Sequence, residues 1–167
     1  MYDELTQVDL DKMQQEIEHR ILVLRPQHLE DVKAARAFGD LSENFEYKEA
    51  KRQKNRNESR IRYLQRMIRT ARVVKADHAP GTVGLFDHVT LYLPQDEETM
   101  ELQLVTTLRV NAQDGLISRE SPLGKAIFGQ PVGAVVQVQV RPDFGYPVEI
   151  RSICPGQDDA SLPISQY

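Results

Sequence analysis

Between Thr6 and Val74 the apolar residues keep a helical period, and that pattern is broken at one place, Gly39-Asp40-Leu41-Ser42. Before the break, Leu10, Met13, Ile17, Ile21, Leu24, Val32 and Ala35 recur at helical spacing, which predicts one helix over residues 6–38. Thr6 or Asp9 can cap its start by accepting a hydrogen bond from a free backbone N–H. Pro26 lies inside the run, lacks an N–H and crowds the preceding turn, so a kink is expected near Leu22–Arg25. Gly39 can take the left-handed conformation that ends a helix, and Ser42 can cap the next. A second helix is expected from about Glu43 to Val74, with a heptad seam of Tyr47, Ala50, Lys54, Asn57, Ile61, Leu64, Ile68 and Ala71. Two long helices joined by so short a turn lie antiparallel. The seam is apolar near the base (Met13, Ile17 and Ile21 against Ile61, Leu64 and Ile68) and polar toward the break (Gln27, His28, Lys54, Asn57). About 30 residues at 1.5 Å rise make an arm of roughly 45 Å.

Past residue 82 the period changes to two. His88–Leu93, Met100–Val105, Leu116–Ser118, Val135–Val140 and Val148–Ile153 read as strands, with a hairpin connection at Pro94–Thr99 and a turn marked by Gly145 and Pro147. Pro122–Phe128 suits a short helix, capped by Ser121 and ended before Gly129. The chain is therefore expected to be α+β: a helical hairpin over 1–75, a linker over 76–82, a small α+β domain over 83–154 and a disordered tail over 155–167.

Composition narrows the function. The net charge of −4 divides unevenly, +3 over residues 1–75 and −7 over 76–167. Residues 47–75 carry 11 basic side chains against Glu49 and Glu58, a stripe that can attract phosphate or stand as a solvated helix face. No apolar run is long enough for a membrane helix, and Met1-Tyr2-Asp3-Glu4 does not read as a signal peptide, so a cytoplasmic protein is expected. The single cysteine, Cys154, excludes an internal disulfide and a Cys-based zinc site.

The chemistry concentrates at the break, where Asp40 and Glu43 stand three residues apart. Two hard carboxylates suit Mg²⁺, weakly unless a partner supplies the remaining ligands. Acids also complement a helix N-terminus, so capping is the alternative reading. Tyr47 follows, flanked by Arg36, Lys51 and Arg52.

Residues 6–75 resemble the N-terminal coiled coil of the Gre transcript cleavage factors. The resemblance lies on Ala34-Ala35-Arg36-Ala37-Phe38-Gly39-Asp40-Leu41-Ser42-Glu43-Asn44-Phe45-Glu46-Tyr47, continues through Ala50-Lys51 to Glu58-Ser59-Arg60-Ile61, and includes the Arg25-Pro26 step. Ile117-Ser118-Arg119-Glu120-Ser121-Pro122-Leu123-Gly124-Lys125-Ala126-Ile127-Phe128-Gly129 is similar to the family's C-terminal signature, so the resemblance covers roughly 6–153. It implies an FKBP-like second domain that meets the rim of bacterial RNA polymerase through Glu120, Ser121 and Pro122. It further implies a coiled coil that enters the polymerase's secondary channel. Asp40 and Glu43 would there help hold a Mg²⁺ shared with the polymerase and position the water that cleaves the 3′ end of backtracked RNA. Asn44 and Tyr47 would support the tip, with Tyr47 also open to packing between the helices. Arg36 and Lys51, extended by Arg52, Lys54 and Arg56, would hold RNA phosphate. Such a chain is expected to act as a monomer, with no metal or enzymatic activity of its own. Departures from the family pattern are Asp9, where a Gly is usual, and residues 105–111, where acidic character is lost and Arg109 appears.

Other classes fit less well. A channel-binding regulator that does not promote cleavage is expected to carry an altered tip, whereas Asp40 and Glu43 are present. A proline isomerase or chaperone wants an aromatic-lined pocket, and residues 76–154 hold only Phe86, Tyr92, Phe128, Phe144 and Tyr146. A bZIP-like DNA binder needs a parallel dimer, which the short Gly39–Ser42 turn disfavours.

Overall fold

The computed structural model describes residues 2–39 and 44–166. The chain divides into two compact units, one built on Leu10–Ala71 and one on Asp3–Asp9 together with the chain from Arg72 onward.

α1 (Gln7–His19), a π-helical turn (Arg20–Leu24) and α2 (Arg25–Arg36) run without a break, and α3 spans Phe45–Thr70; of these, Gln7–Asp9 belong to the second unit and the rest to the first. Thr6 and Asp9 act together at the start of α1: Asp9 Oδ2 accepts from the Thr6 N–H at 3.1 Å, and Thr6 Oγ1 accepts from the Asp9 N–H at 3.4 Å. The kink expected from Pro26 takes the form of the π-helical turn. The Arg25 N–H reaches back five residues to the Arg20 carbonyl, which leaves Pro26 in the first turn of α2, where a missing N–H costs nothing.

The helices pair antiparallel, since contacts climb one as they descend the other: Glu16 with Arg60, Arg20 with Asn57, and Ala35 with Asn44. Met13, Ile17, Val32, Ala35, Ile61 and Leu64 are buried along this unit. So are Asn57 and Arg60. Asn57 exchanges hydrogen bonds with Arg20, accepting from Nη1 at 2.9 Å and donating to the Arg20 carbonyl at 3.3 Å. Arg60 binds Glu16 through both Nε (2.8 Å) and Nη2 (3.2 Å). The second helix is shorter at both ends than expected. At its start Asn44 is the cap in place of Ser42, which lies outside the described residues. It ends at Thr70 because Arg72–Val73 (β2) pairs in parallel with Glu4–Leu5 (β1). Its 26 residues make about 39 Å at 1.5 Å each.

The second unit carries a five-stranded mixed sheet, so the chain is α+β. Its strands are β3 (His88–Leu93), β4 (Glu98–Val105), β5 (Leu116–Ser118), β6 (Val135–Arg141) and β7 (Phe144–Cys154), ordered β5-β4-β3-β7-β6. Within this five-stranded sheet only the β4–β5 pair is parallel. The core gathers Val89, Leu91, Leu102, Leu104, Val138, Val148 and Ile150 from the sheet with Ile127 of α4 (Pro122–Ile127). The turn expected at Gly145 and Pro147 instead falls at residues 142–143, and both residues lie inside β7. Gly145 is there for closeness: a Cβ would come within 2.7 Å of the Val138 carbonyl oxygen.

Two segments read as irregular are held in this unit. In the expected linker, His78 Nε2 lies 2.7 Å from Asp87 Oδ2, and Ala76 packs on a cluster of Leu85, Phe86, Val105 and Leu116. In the expected disordered tail, Leu162 packs on that same cluster and the Gly156 N–H donates to Asp87 Oδ1 at 3.2 Å.

Candidate functional site

The site read from the sequence centres on the connection between α2 and α3. Asp40 and Glu43 lie outside the described residues; their flanks do not. Gly39 has φ +112°, a value side-chain-bearing residues rarely adopt, so the chain leaves α2 through a position that favours glycine. On the far side Asn44 serves both helices. Its Oδ1 accepts from the Tyr47 N–H at 2.9 Å, capping α3, and its Nδ2 donates to the Ala35 carbonyl at 2.8 Å in the last turn of α2. One side chain thus ties the two ends of the connection together. Phe38 and Phe45 stand exposed on either side.

Beside this clasp, the Arg36 guanidinium lies 5.6 Å from the centroid of the Tyr47 ring. A hydrogen bond from Arg36 holds the Tyr47 hydroxyl below the usual tyrosine range, and the charges of Lys51, Arg36 and Lys54 act in the same direction. Tyr47, Lys51 and Lys54 follow at i, i+4 and i+7 and so share one helix face. Arg52 is off that face and is bound to Glu49 at 2.9 Å, a local ion pair of the helix surface. Arg56 is exposed. The structure therefore groups Arg36, Tyr47, Lys51 and Lys54 and sets Arg52 apart. Such a set can hold an anion by charge and by a phenolic hydrogen bond. Among the described residues, no three His, Cys, Asp or Glu side chains gather as a metal site.

The other expected contact loop lies in the second unit. Ser121 caps α4 by accepting from the Gly124 N–H at 3.0 Å, and its hydroxyl donates to the Ser118 carbonyl at 2.7 Å. This leaves Glu120 and Pro122 exposed at the edge of a rigid turn. Sequence reasoning missed what holds that turn. A Cβ on Gly124 would collide with the Ser118 carbonyl oxygen, so only glycine fits. Arg119 stacks over Phe128 with its guanidinium 4.1 Å from the ring centroid and pairs with Glu4 at 2.9 Å. The Gly in the signature was the available signal for the first; nothing local in the sequence marks the second.

Comparison with known proteins agrees across most of the chain. The profile "Transcription elongation factor, N-terminal" matches residues 4–73, and "Transcription elongation factor, GreA/GreB, C-term" matches residues 78–155. A protein of Acholeplasma laidlawii named Transcription elongation factor GreA is 35% identical over 150 residues, covering 90% of this chain and 95% of that protein. Its namesake in Clostridioides difficile is 41% identical over 152 residues, covering 89% and 94%. Among solved structures, one described as the transcription factor Gfh1 covers 92% of this chain and 97% of its own, at 24% identity and a TM-score of 0.45. No helix among the described residues is long and apolar enough to cross a membrane.

Proposed function

Because the chain belongs to the GreA/GreB family of transcription elongation factors, we propose that it binds bacterial RNA polymerase through the secondary channel and stimulates cleavage of backtracked RNA. The observation that carries this reading is the Asn44 clasp. It joins the end of α2 to the start of α3, and the short stretch between Arg36 and Phe45 carries Asp40 and Glu43 in sequence.

In this mechanism the chain lends groups to another enzyme and is not itself the catalyst. The carboxylates of Asp40 and Glu43 would help hold a Mg²⁺ shared with the polymerase, as hard oxygen donors that suit this ion. Such an ion would supply activation of a water and stabilisation of charge on the phosphate. Asp40 and Glu43 orient that water. Arg36, Lys51 and Lys54 attract the RNA phosphates, with Tyr47 beside them. Water adds to phosphorus, the bond from phosphorus to the 3′ oxygen breaks, and the shortened RNA regains a free 3′ hydroxyl. Glu120, Ser121 and Pro122 meet the polymerase rim, where exposed Glu120 and Pro122 are free to contact it. The protein works as a cytoplasmic monomer.

The test is a halted, backtracked complex of purified bacterial polymerase. Adding the chain with Mg²⁺ should shorten the RNA from its 3′ end and restart elongation. Slowed elongation with RNA of unchanged length would reject cleavage in favour of a regulator that occupies the channel without promoting it.

A further inference from the structure

Residues 156–166 run across the second unit as a strap with two kinds of anchor. The first is close packing. Gly156 abuts the Phe86 carbonyl so tightly that any Cβ would collide with it, Leu162 packs on Leu85, Phe86, Val105 and Leu116, and the Ser165 N–H donates to the Leu108 carbonyl at 2.6 Å. The second is Arg109. Its side chain is fully buried and binds both the strap and the start of α1. Arg109 Nε donates to Asp9 Oδ1 at 2.6 Å and Nη2 to Thr6 Oγ1 at 3.3 Å, while Nη1 donates to the Asp159 carbonyl at 3.3 Å and pairs with Asp158. The guanidinium also lies 5.0 Å from the Phe86 ring centroid.

Phe86 itself has φ +68°, a conformation that costs a bulky residue energy and persists only where its surroundings impose it. Here Gln103 Nε2 binds its carbonyl at 3.0 Å and the strap covers it.

We propose that residues 156–166 are a separable strap, docked in cis in a groove of Leu85, Phe86, Val105, Leu108 and Leu116, whose presence secures the Thr6–Asp9 turn through Arg109. The coupling is electrostatic. With the strap in place, the Asp9–Arg109 pair sits away from water, where attraction between charges is strong. With the strap released, the Nη1 edge of Arg109 opens to solvent, the pair is screened, and its hold on the first turn of α1 weakens. The strap lies beyond residue 155, where the match to the family profile ends.

Hydrogen exchange on the full-length chain tests this, with two variants that act by different means. Gly156→Ala blocks the strap's entry sterically, and Asp158→Asn weakens its charge anchor. In the unaltered chain the amides of Leu162 and Ser165 should be protected. Each variant should speed their exchange by about 10-fold or more and also speed that of Asp9 and its neighbours, while Val89 and Leu91 of β3 stay unchanged. A tail that exchanges like free peptide in the unaltered chain overturns the proposal, as does a strap that neither substitution releases. Release without faster exchange near Asp9 removes the coupling, and parallel loss at β3 shows that the strap is not separable; either result also overturns it.

Discussion

At Glu16, burial and charge pull in opposite directions. Burial alone pushes its carboxyl up, but hydrogen bonds and charge from Arg60 and Arg20 outweigh that and hold it below its ordinary value of 4.5. Glu58 is lowered as well, first by its hydrogen bond from Arg25. A carboxylate lowered in the folded state adds stability that is fully present above 4.5 and is lost as pH falls through the lowered value. The first unit should therefore weaken below pH 4.5, with Glu16 contributing more than the more exposed Glu58. Glu16→Gln should cost about 2 kcal/mol at neutral pH, because it leaves the buried Arg60 guanidinium short of a charged partner. It should also flatten the acid dependence. Helical circular dichroism during urea unfolding, measured at neutral and acid pH, checks both; unchanged stability with an unchanged acid limb would contradict them. These partners were not legible in advance. Asn57 could be placed in the seam by spacing, but Glu16 and Arg60 are 44 residues apart, and nothing in either neighbourhood names the other.

Elements were easier to read than their ends. Helical spacing announced α1 to α3, and alternation announced β3 to β7, because a long pattern averages over many side chains. Ends depend on single hydrogen bonds. Asn44, two residues past Ser42, became the cap because it also reaches the Ala35 carbonyl. Pro26 announced a disturbance but not its form, since a kink and a π-helical turn both relieve a missing N–H. Gly145 and Pro147 resembled a turn because the sequence shows what a residue permits, not which backbone lies against it. The same closeness governs Gly124, where a signature position has a steric cause. Gly124→Ala should destabilise the second unit by more than about 2 kcal/mol and loosen the Glu120-Ser121-Pro122 turn. Thermal unfolding combined with exchange at Ser121 and Lys125, whose N–H groups donate to the Ser118 and Ser121 carbonyls, would report it. A neutral effect would show that the turn can shift without cost.

At the scale of the whole molecule, two separate departures from the family pattern turn out to be one feature. Asp9 and Arg109 each read as local oddities, yet they form a buried ion pair 100 residues apart in sequence. The tail is a parallel case: Gly156, Asp158, Asp159 and Ser161 compose a segment that reads as disordered, while the groups it contacts lie elsewhere in the chain. The family was more legible than these contacts, because two long motifs stand in order on one chain, one carrying Asp40 and Glu43 and the other Ser121-Pro122. The central claim is that the acids act at the polymerase's catalytic centre while binding is carried elsewhere. The most direct measurement compares the chain with its Asp40→Asn/Glu43→Gln double variant on one backtracked elongation complex, recording RNA cleavage and polymerase binding together. Cleavage should fall to the rate of polymerase alone with binding affinity unchanged; undiminished cleavage by the double variant would contradict the account.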